Sequence, residues 1–414
     1  MSALPEARRP YVVITGDTHA GAPIEVYREY LDPAWRGEFD AWRAAYRNPS
    51  TKHLGGKKTK NWDSAERTRD LEADGVVAEV IFPNTVPPFY DKAFHVSPPP
   101  RPDQYERWQA GVRAHNRWLA DFCAQAPERR AGIGLIHLND VDAALEDVEW
   151  IARHGLRGGI LLPLPSPSDV HLKPLYAPEY DRLWAAIQDC DLVINQHSGQ
   201  GSPDYGRGQG AEALWVLEMP FFVQRGFCQM ILGGVFERFP KLRYILTESG
   251  CAWAPPLLRR MDGIHMSVKA GMTGEIDFSR SRALAEPPSV YARRNCWYGA
   301  SFPSPRDIQG RELVGVDRIL WGNDYPHYEG CYPHSRENMR LAFADVPQSE
   351  VRMMIGENAA KLYGFDLENL RPLAERIAIT PELVATPLDE IPDSTCPTFQ
   401  IARFERARTK AKAS

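Results

Sequence analysis

The stretch YVVITGDTHAGAP, residues 11–23, contains the features that decide the fold. Residues 11–15 are all β-branched or aromatic, which is typical of a buried strand, and they lead directly into a short polar run. Asp17 and His19 stand two positions apart, so an extended chain places both side chains on one face. A carboxylate and an imidazole there form half of a metal site or an acid–base pair. Because such a pair can also simply open a loop, the rest of the chain must decide.

The bulk composition is that of a globular protein that does not bind nucleic acid. The 414 residues are 43% hydrophobic and 25% charged, with a formal net charge of −5, so there is no basic excess. Residues 1–10 are followed by no apolar segment with a cleavage site, and no run of about 18 apolar residues occurs, so we expect a cytoplasmic chain that does not bind a membrane. The seven cysteines are scattered, which predicts reduced thiols rather than a zinc finger.

Eight strand-like segments follow one another along the chain, mostly separated by helical patterns. Strands that alternate with helices predict a parallel sheet, and eight in one chain favour a single (β/α)8 TIM-like barrel with its active site at the carboxyl ends of the strands. An open doubly wound sheet is the alternative. The predicted strands are 11–15 with its polar tip, 76–83, 132–138, 158–165, 192–197, 242–248, 295–301 and 317–324.

Two segments lie outside this repeating pattern. Residues 23–70 contain helical stretches but no core strand, and we predict a lid-like insertion after strand one. The lysine-rich run at 57–60 indicates a solvated loop, or alternatively a gate for an anionic substrate. Residues 366–414 contain prolines and then basic residues, which predicts a C-terminal extension that wraps this barrel or a neighbour's and favours a homodimer. The barrel itself then occupies residues 1–365.

Ionisable side chains stand at or near the carboxyl ends of five of the predicted strands. Each alone has an ordinary structural explanation, such as a hydrogen bond to the backbone or a helix cap. Together they predict a site, since core packing gives no reason to gather polar groups at one end of a barrel. In chain order they are Asp17, His19, His137, His197, Glu248 and Asp324.

Several longer motifs resemble, in order and spacing, the amidohydrolase-related family. That family includes aminocarboxymuconate-semialdehyde decarboxylase and many hydrolases. The resemblance covers most of residues 11–365, and the motifs that carry it are GDTHAGAP (16–23), HSGQG (197–201), GVFERFPKLRYILTESG (234–250), AWAPPLLRRMD (252–262) and WGNDYPHYEGCYPHSRENM (321–339).

The resemblance implies a metal-dependent barrel in which Asp17, His19, His197 and Asp324 bind a divalent metal. Imidazole and carboxylate ligands suit Zn, Mn or Fe and do not choose between them. By the same resemblance, Asp324 orients a metal-bound water and accepts its proton. We therefore expect a hydrolase that acts on a bulky, carbonyl-containing small molecule.

Two departures from the family pattern keep other functions open. Many relatives have His-x-His where this chain has Asp17, and the decarboxylases have an acid–base histidine where this chain has Glu248, so we expect decarboxylation less than hydrolysis. His197 and Glu248, with His137 as an extra ligand, would instead suit a second metal ion. The main alternative is therefore a non-heme di-iron monooxygenase of secondary metabolism that hydroxylates a bulky acyl substrate, similar to the family branch in the platensimycin and platencin pathways.

A third hypothesis is a barrel that binds a ligand without chemistry. Asp324 argues against it, because a binding module needs no water-activating carboxylate. His327, in the loop after strand eight, is a candidate for contacting substrate or supporting a ligand, or it is purely structural. Aromatic residues near the strand ends indicate a bulky apolar or aromatic substrate, unless they pack against the outer helices; they are Trp215, Trp253, Trp297, Tyr325 and Tyr332.

Overall fold

Eight parallel strands form one sheet in which each strand pairs with its neighbours in chain order. The computed structural model describes residues 9–47 and 58–413, with side chains to 409. The strands are β1 (Ile14–Ala20), β2 (Ala78–Pro83), β3 (Arg130–Leu135), β4 (Gly159–Leu161), β5 (Val193–His197), β6 (Arg243–Thr247), β7 (Cys296–Ser301) and β8 (Ile319–Gly322).

The first and last strands meet and close the sheet into a barrel. The backbone N–H of His19 donates to the carbonyl of Tyr325 at 2.7 Å, and the N–H of Asp324 donates to the carbonyl of Asp17 at 3.0 Å. Thr18 and Tyr325 form a parallel bridge at the same place. The predicted (β/α)8 barrel is confirmed, and the doubly wound alternative is excluded because that sheet stays open.

Helices cover the outside of the barrel and lie between the strands. They are α1 (Tyr27–Tyr30), α2 (Arg36–Ala45), α3 (Ser64–Asp74), α4 (Tyr105–Ala124), α5 (Val141–Arg153), α6 (Asp181–Asp189), α7 (Ala211–Leu232), α8 (Val235–Arg238), α9 (Ala254–Ala270), α10 (Pro288–Asn295), α11 (Pro305–Gln309), α12 (Arg311–Val314), α13 (Ser335–Phe343), α14 (Gln348–Arg352), α15 (Asn358–Tyr363), α16 (Leu367–Ile377), α17 (Pro381–Val384) and α18 (Pro397–Ala413).

Helix α3 shows how the sequence sets these boundaries. The Asp63 side chain accepts a hydrogen bond from the backbone N–H of Glu66, which satisfies a donor that the first turn leaves free. At the other end Gly75 has a φ of 104°, a left-handed conformation that glycine adopts without steric cost. The helix therefore stops just before β2 begins.

Strand β1 differs from the sequence prediction in a way that matters for the site. It runs from Ile14 to Ala20, so Asp17 and His19 lie inside the strand rather than after it. Its pairing with β2 slips by one residue between Thr15 and Thr18. Such a bulge bends a strand and re-aims its side chains, and it cannot be read from a run of β-branched residues.

The insertion predicted over 23–70 contains α1, α2 and the first part of α3, which continues to Asp74. Residues 48–57, with part of the lysine-rich run, lie outside the described residues. The expectation of a solvated loop is wrong for Lys60, because this residue is only 8% exposed. Its ammonium group contacts the Asp70 carboxylate and lies 3.0 Å from the hydroxyl of Tyr332. The positive charge of Lys60 is therefore paired inside the protein.

The C-terminal extension packs against its own barrel. The N–H of Tyr11 donates to the carbonyl of Ile379 at 2.8 Å. The hydroxyl of Thr398 donates to the carbonyl of Phe302, directly after β7. The hydroxyl of Thr395 reaches the carbonyl of Tyr328 in the loop after β8. The extension is therefore attached to two loops at the carboxyl end of the barrel.

Across the part of the chain that the structure describes, no helix combines the length and apolar character needed to span a bilayer.

Candidate metal centre

Four side chains from three strands converge inside the carboxyl end of the barrel. Nε2 of His19 lies 3.4 Å from Oδ1 of Asp17 and 3.2 Å from Oδ1 of Asp324. Nε2 of His197, the last residue of β5, lies 3.4 Å from the same Asp17 oxygen. All four side chains are at most 2% exposed. The structure thus gathers the residues that the family resemblance gave as metal ligands.

Hydrogen bonds behind the two imidazoles orient them toward this centre. Nδ1 of His19 donates to the carbonyl of Pro83 at 3.0 Å, and Nδ1 of His197 donates to the carbonyl of Ser198 at 3.0 Å. A neutral imidazole that donates from Nδ1 presents the lone pair of Nε2 to a metal. The hydroxyl of Ser301 donates to Oδ2 of Asp17 at 2.5 Å, which leaves Oδ1 for the centre.

The inward-facing atoms have the chemistry of a cation site. Among the described residues, none supplies a hydrogen bond to Oδ1 of Asp17, to Nε2 of His19 or His197, or to Oδ2 of Asp324. Buried acceptors that face one another without a donor are unfavourable unless a cation lies between them. Ligands about 2.1 Å from an ion stand roughly 3.0–3.4 Å apart, which matches the observed spacing. These residues therefore fit a divalent metal ion.

The electrostatic field of the centre is strongly negative. Burial raises the pKa of Asp17, but the imidazoles of His197 and His19 lower it by more, so the carboxyl stays ionised. Burial lowers the pKa of His197, but Asp17 raises it by more, to about 9. The negative charge of Asp17 attracts both a proton and a metal ion to the His197 imidazole. The two compete, because an imidazole must be neutral to bind a metal.

His327, in the loop after β8, lies against this centre. Its Nδ1 is 2.9 Å from Oδ1 of Asp324, its Nε2 is 3.2 Å from the side-chain oxygen of Asn84, and its ring stacks on His19 with centroids 4.1 Å apart. Burial lowers the pKa of His327, but Asp324 raises it by more, to about 9. His19, Asp324 and His327 form a second group of potential ligand atoms that overlaps the first. Both groups use His19, whose Nε2 binds one ion at a time, so they describe alternative positions for one ion.

Glu248 follows β6 and borders the centre. Its Oε2 lies 3.5 Å from Nδ1 of His197, and its side chain is 18% exposed. Burial, and then the negative charge of Asp324, raise the pKa of Glu248 well above its usual range. Glu248 and Asp324 both have left-handed backbones, with φ of 56° and 58°. Strained conformations of this kind are concentrated at functional sites.

His137 lies apart from the ligand groups of the described residues. Strand β3 ends at Leu135, and Nε2 of His137 is 2.9 Å from the hydroxyl of Tyr90. The rings of Phe94 and Tyr105 complete its surroundings. Burial lowers the pKa of His137 to about 3. The imidazole therefore sits in an aromatic pocket and not with the metal ligands, so the structure gives no support for it as an extra ligand.

Most of the aromatic residues expected to line a substrate pocket are used in packing. Trp253 packs edge-on against Phe227, and the Trp297 ring lies under the guanidinium of Arg318. The hydroxyls of Tyr325 and Tyr332 are held by polar groups of the insertion. Each of these four side chains therefore has a structural partner inside the protein, and their role in a substrate pocket stays a prediction.

Sequence reasoning missed His95. It lies on the short 3-10 turn Phe94–Val96 after β2, and its ring centroid is 5.7 Å from that of His19 and 5.4 Å from that of His197. Burial lowers the pKa of His95 well below its usual range, and the neighbouring histidines add to that effect. It belongs to no family motif, and the only signal was its place in the segment after a barrel strand.

A closed parallel barrel with buried carboxylates and imidazoles at the carboxyl ends of its strands defines a metal-dependent (β/α)8 enzyme. Comparison with known families narrows this class. The amidohydrolase family model matches residues 92–365, more than half of the chain, and the chain belongs to that family.

The chain is similar in sequence to several decarboxylases and similar in fold to solved structures. Gamma-resorcylate decarboxylase of Rhizobium sp. (strain MTP-10005) is 24% identical over 242 residues, 54% of this chain and 68% of the relative. 2-Amino-3-carboxymuconate-6-semialdehyde decarboxylase of Dictyostelium discoideum is 22% identical over 315 residues, 74% of this chain and 77% of the relative. 5-Carboxyvanillate decarboxylase of Novosphingobium aromaticivorans, complexed with manganese and 4-hydroxy-3-methoxy-5-nitrobenzoic acid, is 19% identical with a TM-score of 0.63, covering 88% of this chain and all of its own.

The expected hydrolase is contradicted by these comparisons, and so is the alternative di-iron monooxygenase. The relatives named above are decarboxylases, and the solved 5-carboxyvanillate decarboxylase carries manganese. The error has a physical origin, because a metal held by two carboxylates and two imidazoles can polarise a water or a substrate carboxylate equally well. The ligand set alone therefore does not choose the reaction, and a glutamate at position 248 in place of histidine does not exclude decarboxylation.

Proposed function

We propose that this protein is a metal-dependent decarboxylase that removes CO2 from a hydroxylated aromatic carboxylic acid. The observation that carries the proposal is the buried set of unpartnered ligand atoms on Asp17, His19, His197 and Asp324, in a chain whose relatives are decarboxylases. Gamma-resorcylate and 5-carboxyvanillate, named for two of the similar enzymes, are both hydroxylated benzoic acids.

Asp17, His19, His197 and Asp324 would hold the ion. When bound, a divalent ion supplies a Lewis-acid contact for oxygens of the substrate. We propose Mn2+, because two carboxylates make the site hard and a similar structure carries manganese. The four-residue set accounts for one ion per chain.

The protein's part in the reaction is to exclude water and to move one proton. The bond between the ring carbon and the carboxyl carbon breaks, CO2 leaves, and the electron pair that stays on the ring carbon takes up a proton. The ligand side chains are at most 2% exposed, so the reacting carboxylate leaves bulk water when it binds there. Glu248 stands after β6, where related decarboxylases are expected to carry an acid–base histidine, and we propose that its carboxyl group moves this proton.

The direct test is CO2 release from a small panel of hydroxylated benzoic acids that includes gamma-resorcylate and 5-carboxyvanillate. The Mn2+-loaded protein should release one CO2 for each product formed, and the rate should be the same in air and under nitrogen. Asp324→Asn should abolish turnover, whereas Asp40→Asn, which changes an exposed carboxylate paired with Arg28, should not. Failure of every aromatic acid in the panel, with the metal bound, would refute the proposal.

A further inference from the structure

The segment between β2 and α4 delivers a histidine to the metal centre that the ligand set does not use. His95 lies within 6 Å, centroid to centroid, of both ligand imidazoles, His19 and His197. Neither group of potential ligand atoms among the described residues includes it. His95 therefore borders the centre beside the ion position.

The position of His95 is fixed by its neighbours in the chain. On one side Phe94 is buried, 6% exposed, and packs against Tyr90 and His137. On the other side Val96 rests on Gly199 in the loop that follows β5, where an added Cβ would come within 3.0 Å of a Val96 methyl group. Because Phe94 and Val96 are both packed against other residues, the His95 imidazole stays beside the metal centre.

The ring also carries an unused polar atom. Nδ1 of His95 is buried and forms no hydrogen bond with any described residue. A buried polar atom without a partner is unfavourable, so such atoms are usually satisfied by a group that the protein binds. The three rings of His95, His19 and His197 lie against one another beside the ion position, so a molecule bound at the ion has His95 as a neighbour.

We propose that His95 is a substrate-contacting residue, whose imidazole forms a hydrogen bond with an oxygen of the aromatic acid bound at the metal. The proposal rests on the proposed function for the class of substrate. In this proposal the segment after β2 takes part in substrate recognition, a role that no sequence motif of the chain indicates. His95 thereby selects for acids that carry a hydroxyl or carboxylate oxygen on this side of the ring.

The test uses the Mn2+-loaded protein and 4-hydroxy-3-methoxy-5-nitrobenzoic acid, the compound bound by the similar 5-carboxyvanillate decarboxylase. His95→Leu removes both ring nitrogens, and His95→Asn keeps an amide group near the place of Nδ1. His154→Asn, at an exposed ring on the outside of the barrel that stacks on Trp150, is the matched control. Metal content by elemental analysis and the dissociation constant by calorimetry are measured for each.

His95→Leu should keep its manganese and bind the nitro acid about 30-fold more weakly, a typical loss for one hydrogen bond to a charged ligand. His95→Asn should recover part of that affinity, and His154→Asn should match the wild type. Unchanged affinity in His95→Leu and His95→Asn would overturn the proposal, and loss of manganese would make His95 a ligand instead. Binding needs no turnover, so a wild-type protein that binds the acid through His95 but releases no CO2 would refute the decarboxylase alone.

Discussion

At the scale of single residues, the centre depends on how Asp17 and Asp324 are held in place. The second oxygen of Asp17 is tied to Ser301, and Asp324 has a left-handed backbone that directs its carboxylate inward. Two fixed negative charges then face two imidazoles whose outer nitrogens are already bonded to carbonyls. Such preorganisation means that a cation binds without moving the side chains that hold it.

Glu248 provides the test of proton transfer at this scale. Glu248→Gln keeps the size of the side chain but removes the acidic proton, so we expect metal content to stay the same and CO2 release to fall by about 100-fold or more. Metal analysis and turnover in the same preparation check this. Glu149→Gln, at an exposed carboxylate 4.0 Å from Arg153, is the control, and it should keep both its metal and its activity. A Glu248→Gln enzyme with wild-type turnover would assign the proton to another group.

A second residue-scale prediction concerns Asp74, which accepts the N–H of Ser335 at 3.0 Å and contacts Asn323 in the loop of β8. Burial raises the pKa of Asp74 from 3.8 to about 7. The Asp74 carboxyl therefore binds its proton more tightly in the folded state than in the unfolded state. Its contribution to the free energy of unfolding is fully present below pH 4 and is lost as the pH rises to about 7. Over that range the free energy of unfolding should fall by on the order of 4 kcal/mol from this group.

Asp74→Asn should remove this pH-dependent part of the free energy of unfolding, since an amide does not titrate. Urea unfolding at pH 4.5, 5.5, 6.5 and 7.5 would show it as a smaller decline in the variant than in the wild type. Asp142→Asn, at an exposed carboxylate paired with Arg182, serves as the control and should follow the wild-type curve. Parallel curves for Asp74→Asn and the wild type would mean that Asp74 is ionised throughout.

The site residues that could be predicted from the sequence are those whose position follows from the barrel. Asp17, His19, His197 and Asp324 stand at strand ends, and closed parallel strands bring such ends together. His95 and Ser301 could not be predicted in this way. His95 comes from a long segment whose path depends on packing against Gly199. Ser301 is an ordinary strand residue until closure of the barrel brings the end of β7 within reach of the Asp17 carboxylate.

At the scale of elements, β1 and β8 approach each other more closely than strands with larger side chains could. An added Cβ on Gly322 of β8 would lie 2.7 Å from the Cβ of Asp17, and a Cβ on Gly16 would lie 3.2 Å from the carbonyl of Trp321. Glycine is thus required where the two strands flank the metal ligands. The bulge in β1 falls at the same place and turns Asp17 toward the centre.

Gly322→Ala should therefore displace Asp17 and weaken metal binding by about tenfold or more, with a smaller effect on the helical signal. Calorimetric titration with Mn2+ and far-UV circular dichroism measure the two quantities. Gly37→Ala in α2 is the matched control, because an added Cβ there meets nothing within 4 Å. Wild-type metal affinity in Gly322→Ala would show that Asp17 does not hold the ion.

At the scale of the whole molecule, an apolar face lies on α7. The first three turns of α7 expose Leu214, Leu217 and Phe221, with relative exposures of 47%, 74% and 61%. Their spacing of three and four places them on one side of the helix. The homodimer expected from the sequence stays a prediction, and this face is the part of the surface that we propose for it.

Light scattering coupled to size exclusion should give twice the chain mass of 46.7 kDa. Leu217→Glu should shift the protein to the monomer, because a charge at the centre of an apolar interface is left unpaired. Leu313→Glu, at a side chain that is equally exposed on α12, should remain dimeric. A wild-type protein that is monomeric at micromolar concentration would contradict the prediction of a homodimer.

The overall architecture was predictable because strand and helix patterns repeat, whereas the reaction was not. Eight apolar runs with polar tips are enough to specify a barrel and the end that carries its site. The choice between adding water and removing CO2 depends on what binds beside the ion, and that is set by segments such as the one that carries His95. The extension after residue 365 was expected to wrap a barrel, and its anchor points at Phe302 and Tyr328 follow only from packing.

The hydrogen bonds that join β1 to β8 are made by the metal ligands themselves or by their neighbours in the chain. A bound ion would therefore join the first and last strands of the barrel. During synthesis Asp17 and His19 leave the ribosome long before Asp324, so the nascent chain cannot assemble the complete centre until nearly the whole barrel has been made. Acquisition of metal then reports that the ring of strands has closed.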